Sequence, residues 1–282
     1  MKNRSQCGFL AGLIMALMTL GIGPAVADTL IIDNVILIDG TGAPPMPGTT
    51  VVVEDTRIAA VSPVSVSVPR GATVIDGTGQ YLIPGLMDTH IHLDGGRKGM
   101  VTEGQRTLTM DMESGIKALH GYLYSGVTTV YDSGNHAQFI FRMRKDERAG
   151  KIVSPRIFAT GPVVAFPGGY ASGMGSTTVG SWDDIENLDK LLALNPDMVK
   201  FVFDPQGRIT NPLRPTFPPE LLKRLVQHCQ SRGFRTTIHA PSEALARQAV
   251  DAGVNALAHV MIAGRINPSF AQFMAAKQIP IS

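Results

Sequence analysis

Two histidines one residue apart, His90 and His92, end an apolar run that begins at Leu82. If residues 86–92 form a β-strand, the alternation of side chains places both imidazoles on one face. Two converging imidazoles suit a first-row metal ion such as zinc, because neutral imidazole is one of its preferred ligands. A His-x-His pair alone is weak evidence, since any strand can carry two exposed histidines. The metal interpretation therefore depends on further ligands that one fold brings to the same place.

Two later histidines have a spacing that such a site could use. His239 and His259 each end a short run that is predicted to be a strand, and His259 comes 20 positions after His239. That interval accommodates one helix and one strand. We therefore expect both histidines at equivalent positions on neighbouring strands.

Lys200 is a lysine in an otherwise apolar strand, predicted at residues 198–203. A lone strand lysine ordinarily lies at a sheet edge and faces water. Burial instead disfavours the ammonium and lowers its pKa. A neutral amine can react with carbon dioxide to give a carbamate, whose two oxygens can bridge a pair of metal ions. Beside four histidines at strand ends, we favour the buried interpretation.

The elements that position these residues alternate between strand and helix, which indicates a parallel sheet. From residue 86 onward, six strands are predicted, at 86–92, 126–132, 156–160, 198–203, 235–239 and 256–259, and a seventh begins at 277–282. Helices are predicted at 103–124, 137–149, 182–194, 219–231, 243–252 and 268–275, and a Gly-rich loop at 161–180. An open doubly wound sheet and a (β/α)8 barrel both fit this rhythm. The candidate ligands lie at or near the carboxyl ends of strands one, four, five and six, and such convergence favours the TIM-type barrel.

The N-terminal part of the chain has a different character. Lys2 and Arg4 precede an apolar stretch, and Ala25-Val26-Ala27 is typical of a signal-peptide cleavage site. A membrane anchor is the alternative, but the stretch is shorter than the roughly 20 residues that span a bilayer. We expect a signal peptide at residues 1–27, an exported protein (periplasmic or secreted), a small β module at 28–80 and the barrel at 81–282.

Charge and cysteine content narrow the classes of partner. The chain has 25 basic and 23 acidic residues, and loss of Lys2 and Arg4 with the signal leaves 23 of each. A near-neutral chain without a basic patch predicts no nucleic acid partner and no membrane partner after cleavage. Cys7 lies in the expected signal, which leaves Cys229 alone, so an internal disulfide is excluded in the mature chain.

The motif Pro-Gly-Leu-Met-Asp-Thr-His-Ile-His at residues 84–92, the strand lysine and the two later histidines together resemble the metal-dependent amidohydrolase superfamily. Within it, the chain is similar to the imidazolonepropionase-like and Xaa-Pro dipeptidase-like group, from about Thr29 to Ser282. The resemblance implies two divalent metal ions, with zinc favoured. It assigns His90 and His92 to the more buried ion, Lys200 to a carboxylated bridge, and His239 with His259 to the second ion. It also implies that C-terminal strands complete the β module as a sandwich.

The sequence departs from the family pattern at two points. The family's general base is an aspartate at the end of strand eight, which would lie beyond Ser282, so no catalytic residue is assigned and only strands 1 to 7 of the barrel are expected here. Members that deaminate bases usually carry a glutamate three residues after the fifth-strand histidine, where this chain has Ser242 followed by Glu243. A deaminase is therefore disfavoured.

Two residues are candidates for contact with substrate. Tyr170 belongs to the Gly-rich loop after strand three, at the barrel end that holds the ligands. His136 follows strand two and could line the mouth of the pocket. His120 and His228 lie on predicted helices, where surface or packing roles are the simpler interpretation.

The function predicted from these observations is metal-dependent hydrolysis of a carbon–nitrogen bond, amide or peptide-like, in a small molecule through a metal-activated water. Ester or lactone hydrolysis uses the same apparatus. The alternative to an enzyme is a truncated, non-catalytic chain that at most binds metal or ligand. A homo-oligomer is left open.

Overall fold

The computed structural model describes residues 28–95, 98–102, 105–173, 175–207 and 213–282. The expected signal peptide lies outside these ranges, so its cleavage stays a prediction. The chain divides into two compact units, one that ends at Pro84 and one over Gly85–Ser282. Within the described ranges, no helix has the length and apolar character needed to cross a membrane.

The first unit is a five-stranded sheet. Its strands are β1 (Thr29–Leu37), β2 (Met46–Glu54), β3 (Arg57–Ser62), β4 (Thr73–Asp76) and β5 (Tyr81–Leu82). The order is β3-β2-β1-β4, with β5 beside the end of β1; β1 and β2 are antiparallel, whereas β4 and β5 run parallel to β1. Val35, Leu37 and Val51 form its small buried core. The described residues of this unit form one sheet, so the second layer of the expected sandwich is not seen among them.

The second unit is an α/β assembly, as its alternating sequence predicts. Its first half contains β6 (Leu86–Ile91), β7 (Lys98–Thr102), β8 (Gln105–Thr109), α1 (Met112–Tyr124), β9 (Val127–Asp132), α2 (Ala137–Arg148), β10 (Arg156–Ala159), β11 (Val164–Ala165) and β12 (Thr177–Thr178). Its second half contains a 3₁₀ turn (Trp182–Asp184), α3 (Ile185–Leu192), β13 (Val199–Val202), α4 (Pro219–Ser231), β14 (Thr236–His239), α5 (Glu243–Asp251), β15 (Ala256–Leu257) and α6 (Ser269–Lys277).

Two parallel sheets carry the strands predicted to hold the site. Their orders are β10-β9-β6 and β12-β11-β13-β14-β15. Strand pairing among the described residues does not join these sheets into a closed barrel. Where a seventh strand is predicted, the structure has a single parallel bridge between Leu257 and Ile281. The α/β class is confirmed at this level.

The segment between the first strand and α1 differs from the prediction. Instead of one helix over 103–124, β7 and β8 form an antiparallel hairpin and the helix begins at Met112. Asp111 is its N-cap: Oδ1 accepts a hydrogen bond from the Ser114 backbone N–H at 2.9 Å. Aspartate satisfies the exposed N–H groups of a first helical turn, so the helix starts where this side chain is available. Valine and threonine in 98–109 favour strand over helix.

The predicted loop over 161–180 also contains ordered strands. β10 pairs with β9, whereas β11 pairs with β13 on the other sheet. Between them, Gly161 has a φ of +68° and Pro162 has no N–H to donate. Both features interrupt a strand, so the third strand is split and its two parts pair with different neighbours.

The sixth strand is shorter than predicted. β15 ends at Leu257, and His259 lies two residues beyond it. The chain there turns toward the loop after β14, because the N–H groups of Ile262 and Ala263 both donate to the Pro241 carbonyl. His259 is therefore held by a loop and not by the sheet ladder.

Candidate active site

Parallel strands deliver five side chains to one place. β6 carries His90, β13 carries Lys200 and β14 ends at His239, while His92 and His259 follow β6 and β15. Ring centroids lie 5.4 Å apart for His90 and His92, 5.2 Å for His90 and His259, and 4.6 Å for His239 and His259. All five predicted metal-ligating residues are therefore neighbours, although the first and the last lie 169 positions apart in the chain.

Each of the four histidines has one ring nitrogen against an oxygen acceptor. The pairs are His90 Nδ1 with Ala258 O, His92 Nδ1 with Gly134 O at 2.7 Å, His259 Nδ1 with Val260 O at 2.9 Å, and His239 Nε2 with Asp204 Oδ2 at 3.0 Å. Carbonyl and carboxylate oxygens only accept, so the facing nitrogen of a neutral imidazole carries the hydrogen. The other ring nitrogen then carries the lone pair.

Three of these nitrogens face another nitrogen of the site. His239 Nδ1 lies 2.6 Å from His259 Nε2, and His90 Nε2 lies 3.3 Å from Lys200 Nζ. Two lone pairs at 2.6 Å repel unless a cation lies against both. Metal-binding histidines usually donate the second ring N–H to a carbonyl or carboxylate, as all four do here. The donor chemistry therefore fits a divalent metal.

The positions of the candidate ligands fit a metal ion less fully than their chemistry does. In the described part of the chain, no three His, Cys, Asp or Glu side chains surround a common point as metal ligands do. The donor nitrogens occur as pairs, His239 with His259 and His90 with Lys200. The fit to a metal accordingly rests on the direction of the ring nitrogens.

Burial favours the uncharged forms of His90, His239, His259 and Lys200. It lowers the pKa of His90 to about 4 and the pKa of His239 to about 4, and it lowers the pKa of His259. Lys200 is 3% exposed in the middle strand of its sheet, and burial lowers its pKa to about 7, with the charge of Asp132 opposing. The edge position facing water is excluded for Lys200, and a large neutral fraction of its amine is expected at physiological pH.

The turn after β9 supports two of these residues. Its Gly134 carbonyl accepts from His92, and the Ser133 hydroxyl accepts from Lys200 Nζ at 3.3 Å. Asp132 closes the turn by accepting from the backbone N–H groups of Leu93 and Gly134 and from the Asn135 amide. Burial raises the pKa of Asp132, while these hydrogen bonds oppose the rise. Asp132 thus caps this turn, and the sequence indicated no role for Ser133.

Asp204 is a second site residue that the sequence analysis missed. It is 2% exposed, follows β13 by two positions and accepts from His239 Nε2. An acidic residue immediately after an apolar strand that carries Lys200 was the available signal. The sequence alone did not show that it faces the next strand.

The two predicted substrate-contact residues differ in placement. Tyr170 is half-buried, and its ring centroid lies 5.5 Å from that of His239. His136 precedes α2 and packs against Gly175. Its buried Nε2 has no hydrogen-bond partner among the described residues. The structure thus brings Tyr170 to the histidines, whereas no described hydrogen bond or ring contact joins His136 to them.

Comparison with known proteins identifies the family. The model of the Amidohydrolase family matches residues 81–271, which is more than half of the chain. The chain belongs to the amidohydrolase family. An enamidase from Eubacterium barkeri is 40% identical over 94 residues, which are 33% of this chain and 22% of the enamidase. A 5'-deoxyadenosine deaminase from Methanothermobacter thermautotrophicus is 57% identical over 44 residues, 16% of this chain and 10% of the deaminase.

Solved structures agree on the fold of this amidohydrolase. A Xaa-Pro dipeptidase crystallised with methionine in its active site superposes with a TM-score of 0.74 at 20% sequence identity. The alignment covers 89% of this chain and 66% of the dipeptidase. The regions matched in the two curated relatives are shorter, about a fifth and a tenth of their length.

In this amidohydrolase, the side chains of Ser242 and Glu243 make local contacts at the start of α5. Ser242 is the N-cap of α5, where its hydroxyl accepts from the Leu245 N–H. Glu243 pairs with Arg247 at 2.8 Å and accepts from the Asn267 N–H at 2.6 Å. Both side chains therefore take part in contacts at the start of α5.

Proposed function

We propose that this amidohydrolase is a metal-dependent hydrolase that cleaves a carbon–nitrogen bond, amide or peptide-like, in a small molecule. The observation that carries the proposal is the arrangement of ring nitrogens: His239 Nδ1 and His259 Nε2 face each other, and His90 Nε2 faces the amine of the buried Lys200. The family match and the enamidase relative support a carbon–nitrogen substrate. The positions of Ser242 and Glu243 favour amide cleavage over deamination of a base.

His90 and His92 would hold one divalent ion, and His239 with His259 a second, with zinc favoured because imidazole is among its preferred ligands. Lys200 would bridge them as a carbamate, since a neutral amine is the form that reacts with carbon dioxide. When bound, such ions polarise a carbonyl and lower the pKa of a water toward 7.

The chain's own residues would prepare the site for this chemistry. The Gly134, Ala258 and Val260 carbonyls hold three histidine rings in orientation, and Asp204 holds the fourth. Tyr170 lies beside His239 and would contact the substrate, and His136 would line the pocket mouth. A small molecule is the proposed partner, without nucleic acid or membrane, and self-association is left open.

The finer architecture and the location in the cell belong to the same proposal. We propose that the parallel strands form part of a (β/α)8 barrel and the N-terminal sheet part of a β-sandwich. The likeness to the Xaa-Pro dipeptidase structure supports this architecture. Residues 1–27 would direct export and be removed.

The proposal is tested by hydrolysis assays on the zinc-loaded protein. The substrates would be Xaa-Pro dipeptides, an enamide, 5'-deoxyadenosine and matched esters. We expect measurable kcat/KM on an amide, no ammonia from 5'-deoxyadenosine, and at least a hundredfold loss in His239→Ala. Preference for the esters, or amide cleavage that survives in His239→Ala, would contradict it.

A further inference from the structure

We propose that Asp204 is a positioning residue that fixes which ring nitrogen of His239 carries the hydrogen. Its consequence for metal binding rests on the function proposed above, but the hydrogen position is a property of the protein alone. Asp204 does not face the lone pairs of the site; it lies on the opposite side of the His239 ring.

The two carboxylate oxygens of Asp204 have separate partners. Oδ1 accepts from the backbone N–H groups of Gln206 at 2.7 Å and Gly207 at 3.0 Å, in the turn after β13. Oδ2 faces His239 Nε2 at 3.0 Å. The turn therefore fixes the carboxylate plane, and the carboxylate in turn requires a hydrogen on Nε2. The lone pair is left on Nδ1, the nitrogen that faces His259.

An asparagine at position 204 would have nearly the same shape as the aspartate but would reverse the direction of the hydrogen bond with His239. Backbone N–H groups need an acceptor, so the amide oxygen of Asp204→Asn would take the place of Oδ1. The amide NH₂ would then face His239 Nε2 and donate to it. That nitrogen would have to carry the lone pair, and the hydrogen would move to Nδ1. In a serine protease, the same aspartate-to-asparagine change keeps the geometry and leaves the histidine in the wrong tautomer.

A hydrogen on Nδ1 would block that nitrogen as a metal ligand. Loss of a partner that orients a ligating histidine typically costs about 10- to 100-fold in metal affinity. We expect a loss in this range for Asp204→Asn. Because the substituted amide keeps both backbone hydrogen bonds of the turn, the fold should be retained.

The chain contains a matched control pair. His228 on α4 faces Asp189 on α3, with Nε2 at 2.7 Å from Oδ1, and neither belongs to the proposed metal site. Asp189→Asn makes the same isosteric exchange beside a histidine. It should leave both the His239 ring and the metal affinity unchanged.

The experiment is ¹⁵N NMR of the imidazole rings in the metal-free chain, with His239 assigned by comparison with His239→Gln. We expect His239 with hydrogen on Nε2 in the wild type and in Asp189→Asn, and on Nδ1 in Asp204→Asn. Zinc affinity, measured by competition with a chelator dye, should fall about 10- to 100-fold in Asp204→Asn only.

Three results would overturn the proposal: hydrogen on Nδ1 of His239 in the wild type, no change of tautomer in Asp204→Asn, or a changed tautomer with unchanged zinc affinity. If circular dichroism shows that Asp204→Asn does not fold, the NMR spectrum of the wild type still shows which ring nitrogen of His239 carries the hydrogen. Absence of zinc binding by the wild type would count against the metal function proposed above, while the NMR measurement would still test the tautomer.

Discussion

At the scale of single residues, Lys200 is the strongest departure from ordinary protein chemistry in the site. It is 3% exposed, and every residue of its strand is buried. Its burial could be predicted because its apolar strand accompanies four histidines at strand ends, whereas a lone strand lysine would ordinarily face water at a sheet edge. Its contact with Ser133 could not be predicted, since that residue lies 67 positions away, in the turn after β9.

The lowered pKa of Lys200 predicts how stability depends on pH. Its ordinary pKa is 10.5 and its folded pKa about 7, so above pH 7 the unfolded chain binds more protons than the folded one. Unfolding free energy should therefore rise from about pH 7 to 9, by up to about 1.4 kcal/mol per pH unit. The buried histidines, with folded pKa values lowered toward 4, add stability only below this window. Burial raises the pKa of Cys229 to about 12 from 9, which removes stability only above it.

Urea unfolding of the metal-free protein in CO₂-depleted buffer measures this dependence. Lys200→Met, of similar length and apolar, should flatten the curve between pH 7 and 9. Lys190→Met is the control, because the Lys190 side chain is 67% exposed, and it should keep the wild-type slope. A flat wild-type curve would show that Lys200 is not the titrating group described here.

A second test of Lys200 concerns its carbamate. Lys200→Ala should lose one of two bound metal ions per chain, and acetate or propionate should partly restore it by occupying the vacated space. Lys200→Arg should not respond, because a guanidinium stays charged and cannot accept carbon dioxide. Elemental analysis reports the result, and two ions per chain in Lys200→Ala without added carboxylate would make the bridging role wrong.

At the scale of elements, local chemistry decided which predictions held. The helix predicted at 219–231 is observed as Pro219–Ser231, because a proline start and an amphipathic pattern agree. Ser181 and Asp184 form a capping box at the 3₁₀ turn before α3. The β7–β8 hairpin was missed because residues 98–109 show no turn signal stronger than two isolated glycines. The strands β11 and β12 were missed because each is only two residues long, too short for a recognisable alternation of side chains.

The capping residue of α1 should contribute measurably to stability. Asp111→Ala removes the acceptor for the Ser114 N–H and hydroxyl and should lower the unfolding free energy by about 1 kcal/mol. Glu113→Ala, in the same first turn but exposed, should cost only a few tenths of a kcal/mol. Equal losses in the two variants, measured by denaturant unfolding, would refute the capping role.

At the scale of the whole molecule, parallel topology explains why residues 90 to 259 form one site. Successive strands present their carboxyl ends at the same edge, so spacing by one helix and one strand predicts convergence. Sequence spacing cannot predict ring orientation, which depends on the Gly134, Ala258 and Val260 carbonyls and on Asp204. These partners come from turns, whose geometry is fixed only when the sheets have formed.

The N-terminal residues give a prediction for the chain as it is made in the cell. If Ala25 and Ala27 fit a signal peptidase, the exported protein should begin at Asp28. Intact mass of protein recovered from the periplasm checks this. A mass that includes Met1 would contradict export by this signal.

The central claim is that His90, His92, His239 and His259 hold metal. Metal content per chain, measured after dialysis against zinc and removal of excess, tests it most directly. We predict two equivalents in the wild type, fewer in His90→Ala and in His239→Ala, and two in His120→Ala, whose histidine is exposed on α1. No zinc in the wild type, or the same content in all four proteins, would contradict the account.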